Sequence, residues 1–206
     1  MISGIAAFIP VLLVAFTALV LLISAEWRLS IAALLVQYIG VSLLVQPYGL
    51  LGLSLAKLMS GWIAAVVLSM AMVSTPGIAD REIKAKTAQV ALPEVLSGRI
   101  FRLLASVLVF LVTLSIAPAI PSFVPGAQLP QAYGALTLAG MGLLQLGLTN
   151  RPFRTVIGLL TALSGFEILY ISVETSALVT GLLAAVTLGL ALVGAYLLIA
   201  PFEEQE

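Results

Sequence analysis

Apolar residues run along this chain in blocks about as long as a bilayer is thick, and the polar positions fall between the blocks rather than alternating with them. About 20 such residues, rising about 1.5 Å each, carry a helix across the hydrocarbon core, so each block predicts a membrane helix. The first runs from Met1 to Ala25 with no basic residue before it. It is too long for a signal-peptide core and lacks the charged front end, which predicts an uncleaved helix at about 3–24. Glu26, Trp27 and Arg28 then mark an interface, with Trp in its favoured boundary position. From Leu29 to Ala79 the one charge is Lys57, and the run is too long for a single span. The break Gln46-Pro47-Tyr48-Gly49 divides it into helices at about 28–46 and about 50–74. Beyond Arg99, further helices are predicted at about 100–118, 131–149, 153–173 and 175–200. The Pro-rich stretch from Pro118 to Pro130 is predicted to be an ordered, non-helical crossing outside the bilayer.

One interval departs from this pattern. Thr75 to Arg99 mixes charges of both signs around Val90-Ala91-Leu92, between Pro76-Gly77 and Ser97-Gly98. It reads either as a short helix lying on the membrane surface or as a loop on which a partner docks.

The basic residues give an independent test of the span count. With the N-terminus outside and seven spans, Arg28, then Arg81, Lys84, Lys86, Arg99 and Arg102, then Arg151 and Arg154 all fall inside, and the outer loops hold no Lys or Arg. Six or eight spans would break this segregation, which the positive-inside rule requires of the cytoplasmic face. The expected fold is therefore an all-α, polytopic membrane protein with seven transmembrane helices, N-terminus outside and C-terminus cytoplasmic, with residues 1–206 as one membrane domain.

Composition agrees with this class. At 62% hydrophobic and 9% charged residues, the chain is an integral membrane protein with no separate soluble domain. It has no Cys and no His. That removes the usual ligands of haem, iron–sulfur clusters, zinc and copper, together with disulfides and His-based proton shuttling. No cofactor and no nucleic-acid partner is expected, and redox chemistry, where there is any, belongs to a partner.

Polar residues inside the predicted helices are the candidate functional groups, because an ionisable side chain in lipid is costly and usually faces a partner or a cavity. Glu167 stands well inside the sixth helix and Lys57 inside the third. Counted from the outer ends at the helical rise, Gln37 lies about 13 Å deep, Lys57 about 10 Å and Glu167 about 9 Å. At one depth, a Lys and a Glu can neutralise each other and lower the cost of holding either. Gln145 lies deeper toward the cytoplasm and would extend a polar path. Each residue also has a plain alternative: Lys57 and Glu167 reaching to the headgroups, Gln37 and Gln145 bonding across helices. Glycines in the fifth and seventh helices suit close helix packing, and Ser54, Ser60, Ser69 and Ser164 suit bonds back to their own helices. Neither phosphate-cradling Gly motifs nor a His-based nucleophile arrangement occurs.

The seven-span layout, the Lys of the third helix and the sixth-helix pattern Arg154-x-x-x-Gly158-x-x-x-x-x-x-Gly165 resemble the E-type membrane subunit of hydrogenase-4 and formate-hydrogenlyase complexes. That subunit is related to the K-type subunit of respiratory complex I and the C-type subunit of multi-subunit cation/proton antiporters. The resemblance implies that Lys57 matches the family's membrane lysine and that Arg154, Gly158 and Gly165 match its helix frame. Where the family has an acid and an amide before the second glycine, this chain has Leu163 and Ser164, with Glu167 on the face of Leu163 one turn further on. The last helix, which in the family can carry an acid, is uncharged from Thr175 to Phe202.

The resemblance implies a non-catalytic membrane subunit of a complex I-like or hydrogenase-4-like ion-translocating redox complex, in the plasma (inner) membrane or an internal energy-converting one. Its partners would be antiporter-like and hydrogenase- or quinone-proximal membrane subunits and the lipid bilayer. Its own part would be to bridge those modules and to carry a polar proton or sodium path through Gln37, Lys57, Glu167 and Gln145. The alternatives are a free-standing small-molecule or lipid transporter, of a kind that often shows internal repeats and Gly/Pro-broken helices near the midplane, or a purely structural assembly subunit.

Overall fold

The computed structural model describes residues 7–24, 26–46, 51–74, 92–174 and 176–203. Seven helices of more than ten residues follow one another among them: α1 (Ile9–Ile23), α2 (Trp27–Val45), α3 (Leu51–Ser74), α4 (Leu92–Ile116), α5 (Leu129–Gly147), α6 (Pro152–Val173) and α7 (Ala177–Glu203). No strand occurs among the described residues. Five helices, α2, α3, α4, α6 and α7, are long and apolar enough to cross a bilayer, and α1 is a shorter apolar helix of 15 residues. α5 has 19 residues but is less apolar, because Gln131, Gly134, Gly142 and Gln145 all turn into the bundle instead of toward lipid.

Local chemistry places most of the boundaries. α1 has Pro10 in its first turn, where the missing N–H costs nothing. At its other end the Ser24 hydroxyl donates to the Glu26 carbonyl at 3.2 Å and accepts from the Glu26 N–H at 3.3 Å, which turns the chain directly into α2. Pro152 opens α6 in the same way, and Glu174 closes it and accepts the N–H of Ser176 at 3.1 Å. The Gln46–Gly49 break lies mostly outside the described residues, with α2 ending at Val45 before it and α3 beginning at Leu51 after it.

Two expectations are corrected. α4 begins at Leu92, not near 100, so residues 92–99 belong to a helix of 25 residues. Pro93 sits in the first turn, where proline is favoured, while Gly98 lies inside the helix at a cost of about 1 kcal/mol relative to Ala and does not break it. The rest of the 75–91 interval, with its surface-helix or docking-loop reading, lies outside the described residues. The Pro118–Pro130 crossing is partly helical: a 3-10 turn at Ala117–Ala119 is followed by a helical turn at Ile120–Phe123. Pro118 and Pro121 each occupy a first-turn position and so start turns instead of preventing them. The crossing ends with Gly126 at φ 85°, a conformation that glycine alone adopts freely. A side chain there would also meet the Ser172 carbonyl oxygen at 2.6 Å, so this loop lies down on the end of α6.

α2 and α6 form the centre of the bundle. One apolar cluster joins α1, α2, α3, α6 and α7 through Leu21, Leu34, Tyr38, Leu68, Leu160 and Ala191. A second joins α1, α2, α5 and α6 through Val14, Val41, Leu138 and Ile168. In α6, 61% of the spanning window is buried and in α4 only 17%, so α6 is the axis and α4 a peripheral helix. The α5–α6 crossing is made possible by small residues. A methyl on Gly165 would stand 2.5 Å from both the Ala135 carbonyl oxygen and the Ala139 nitrogen, and one on Gly142 would run into the backbone of Ala162.

Candidate functional site: a buried ion pair on a polar seam

Three positions on α6, Thr161, Ser164 and Glu167, follow at intervals of three and so lie on one face. All three are buried. Because α6 is central, this face meets protein along its length, and its polar groups find partners on α2 and α3. The Gln37 side-chain amide donates to the Thr161 hydroxyl at 3.3 Å. The Tyr38 hydroxyl lies beside the Ser164 hydroxyl without closing a well-formed hydrogen bond, while Ser164 donates to the Leu160 carbonyl at 2.8 Å. At the top of the seam the Lys57 ammonium forms an ion pair with the Glu167 carboxylate. From Thr161 to Glu167 the seam rises about 9 Å along the helix.

Lys57 and Glu167 are 3% and 1% exposed, so the pair is enclosed by protein rather than by headgroups or water. That decides between the two sequence readings: neither side chain snorkels, and each neutralises the other. The Lys57 ammonium also lies 5.8 Å from the centroid of the Tyr38 ring, within the range of a cation–π contact. On α3 the seam is framed by residues that share the Lys57 face. Ser60 returns its proton to the Lys57 carbonyl at 3.0 Å, as small hydroxyls in apolar helices usually do. Gly61, one turn on from Lys57, leaves the space in which the Tyr38 ring sits.

Other candidates go elsewhere. Gln145 donates to the Arg154 carbonyl at 3.1 Å, at the corner between α5 and α6. Arg154 stands 13 residues before Glu167, about 20 Å along the helix, and the inward positions between it and Thr161, Ile157 and Leu160 among them, are apolar. Gln145 therefore does not extend the seam. Its bond is the cross-helix alternative. The Arg154 guanidinium donates to the Ser24 carbonyl, and Arg102 donates to the Leu22 carbonyl at 3.3 Å. Two arginines from α6 and α4 thus converge on the C-terminal carbonyls of α1, where positive charge offsets the helix dipole. Gly158 and Gly165 are packing residues against α5, facing Gly142 and Ala135 respectively.

The sequence points to Gln37, Lys57 and Glu167 but not to Tyr38, Thr161 or Gly61, and it presents Ser164 as a back-bonded serine at the position of the family's amide. The three-residue spacing of Thr161, Ser164 and Glu167 was visible in the chain and marks one polar face. Tyr38 and Gly61 carry no such pattern, since their role depends on which helices become neighbours. Among the described residues no three His, Cys, Asp or Glu side chains gather as a metal site would need. The seam can hold and exchange a charge between two oppositely charged groups, and it offers further hydrogen-bonding groups on one side of them. Comparison with protein-family models, with curated proteins and with solved structures finds no match for this chain.

Proposed function

We propose that this chain is a non-catalytic membrane subunit of a larger ion-translocating assembly of the complex I-like or hydrogenase-4-like kind, in a plasma or internal energy-converting membrane. In this reading α1 and α5 cross the bilayer alongside the five longer helices, with the N-terminus outside. The observation that carries it is the Lys57–Glu167 pair, enclosed at the centre of the bundle, with the Gln37–Thr161 hydrogen bond on the same face of α6. Ionisable groups kept inside a membrane at this cost commonly serve ion or proton movement. Only 17% and 22% of the residues in the apolar stretches of α4 and α7 are buried, so both helices have broad apolar faces available to lipid and to neighbouring membrane subunits.

A structural reading is favoured by one observation: below Thr161 the inward face of α6 is apolar and Gln145 is tied to the Arg154 carbonyl, so the seam covers only part of the bundle's depth. One experiment separates the two. The chain is purified from its own membrane in mild detergent, its companions are identified, and ion translocation by the assembly is measured with the Lys57→Met, Glu167→Gln double variant. The proposal expects larger membrane subunits to copurify and translocation to fall in an assembly that still forms. Translocation at the normal rate would make the pair structural, and recovery of a solitary, active transporter would remove the proposal altogether.

A further inference from the structure

The Tyr38 ring occupies a notch that exists because residue 61 is glycine. A Cβ at Gly61 would overlap three atoms of that ring, Cγ, Cδ1 and Cε1. Beside the notch the Trp62 indole N–H donates to the Leu35 carbonyl at 3.3 Å, which ties α2 to α3 at this level. Gly61 is one turn from Lys57 on the same face of α3, so a ring seated on Gly61 lies alongside the lysine stem. The ammonium is 5.8 Å from the ring centroid, and both residues are almost fully buried, Tyr38 at 1% and Lys57 at 3%. With water excluded, the negative face of an aromatic ring attracts a cation more strongly than it does at a surface.

We infer that Tyr38 is the positioning residue of the Lys57–Glu167 pair: seated on Gly61, its ring face holds the Lys57 ammonium toward the Glu167 carboxylate. The inference deepens the proposed function and rests on the pair being the working part of the seam. A buried ammonium on a four-carbon stem has several rotamers, and the carboxylate alone attracts it without fixing its direction of approach. The ring supplies a second attraction from the α2 side, so the ammonium is fixed between two helices. The ring face does this and the hydroxyl does not, so Phe at position 38 serves equally well. Gly61 takes part without touching either charge, because it sets where the ring can lie.

The full chain in lipid nanodiscs, treated with a small membrane-permeant isothiocyanate, tests this. Lys57, Lys84 and Lys86 are the three lysines, and peptide mapping separates labelling of Lys57 from that of the other two. Glu167→Gln comes first and is expected to speed Lys57 labelling, which establishes that the pair protects the amine. Tyr38→Phe is expected to label at the unmodified rate. Gly61→Ala, and pentafluorophenylalanine at position 38, are expected to speed labelling about thirtyfold, the scale of one lost desolvated cation–π contact. The fluorinated ring keeps the shape and packing of Phe but reverses the charge of its face, so a purely space-filling role would leave its rate unchanged. That unchanged rate would overturn the inference while leaving the pair intact. So would a Tyr38→Phe chain that labels fast, since the hydroxyl would then be the holding group. A Glu167→Gln chain that labels no faster would remove the pair and the inference together.

Discussion

Neither Lys57 nor Glu167 reaches water, at 3% and 1% exposure, so each charge depends on the other for most of its compensation. A charged group alone at the centre of a membrane helix costs about 3 kcal/mol on insertion scales, and more by other estimates. Removing one partner leaves the other uncompensated, and breaking a buried pair in this way typically costs about 3–5 kcal/mol. Removing both removes the problem. Lys57→Met and Glu167→Gln are therefore each expected to destabilise the protein, and the double variant to recover much of the loss. A double-mutant cycle on thermal stability in detergent reads the coupling directly. Strictly additive effects would mean that the two side chains do not meet in the folded protein. Counted at the helical rise from the helix ends, both residues lie about 9–10 Å deep, and this is why their meeting is expected from the chain alone. Their shared neighbour Tyr38 is not, because depth fixes the level of a residue but not which helices face it.

Element boundaries follow the same logic. α2, α3 and α6 lie within one or two residues of the limits set by interfacial charges, Pro and Gly, since the ends of an apolar run are where a helix must leave the bilayer. α4 and the Pro118–Pro130 crossing depart from the sequence expectation, because Gly98, Pro118 and Pro121 do not break the chain where first-turn proline and mid-helix glycine are tolerated. The α5–α6 crossing was foreseeable only as a supply of small residues, not as a particular contact. In the structure some of those glycines have no freedom to change and others have a great deal. Gly165 faces the α5 backbone at 2.5 Å, whereas Gly189 on α7 has open space where a side chain would be. Gly165→Val is expected to force α5 and α6 apart and to cost about 1–3 kcal/mol or more, as overpacking usually does. Gly189→Ala meets nothing and gains about 1 kcal/mol of helix propensity. Melting temperatures in one detergent should therefore move in opposite directions for the two variants, and a shared direction would mean that the α5–α6 crossing is looser than described.

At the scale of the whole molecule, orientation in the membrane controls which surface the Lys57–Glu167 pair lies nearer. Arg102 and Arg154 both reach the C-terminal end of α1, so Arg102 of α4 and Arg154 in the first turn of α6 share one end of the bundle with the start of α2, which carries Arg28. In the proposed orientation, which follows the positive-inside rule, that end is the cytoplasmic one. The Lys57–Glu167 pair, six residues from the start of α3 and six from the end of α6, then lies nearer the outer surface. Because the chain has no cysteine, single cysteines report on this without background. A cysteine at Ser122, which is exposed in the short turn after α4, is expected to react with an impermeant maleimide added outside intact cells. One at Lys84, in the predicted cytoplasmic interval, is expected to react only after the membrane is opened. The two positions are separated by α4 alone, so labelling of both from one side would mean that α4 does not cross the bilayer. Labelling from reversed sides would keep the crossing but place the ion pair nearer the cytoplasm.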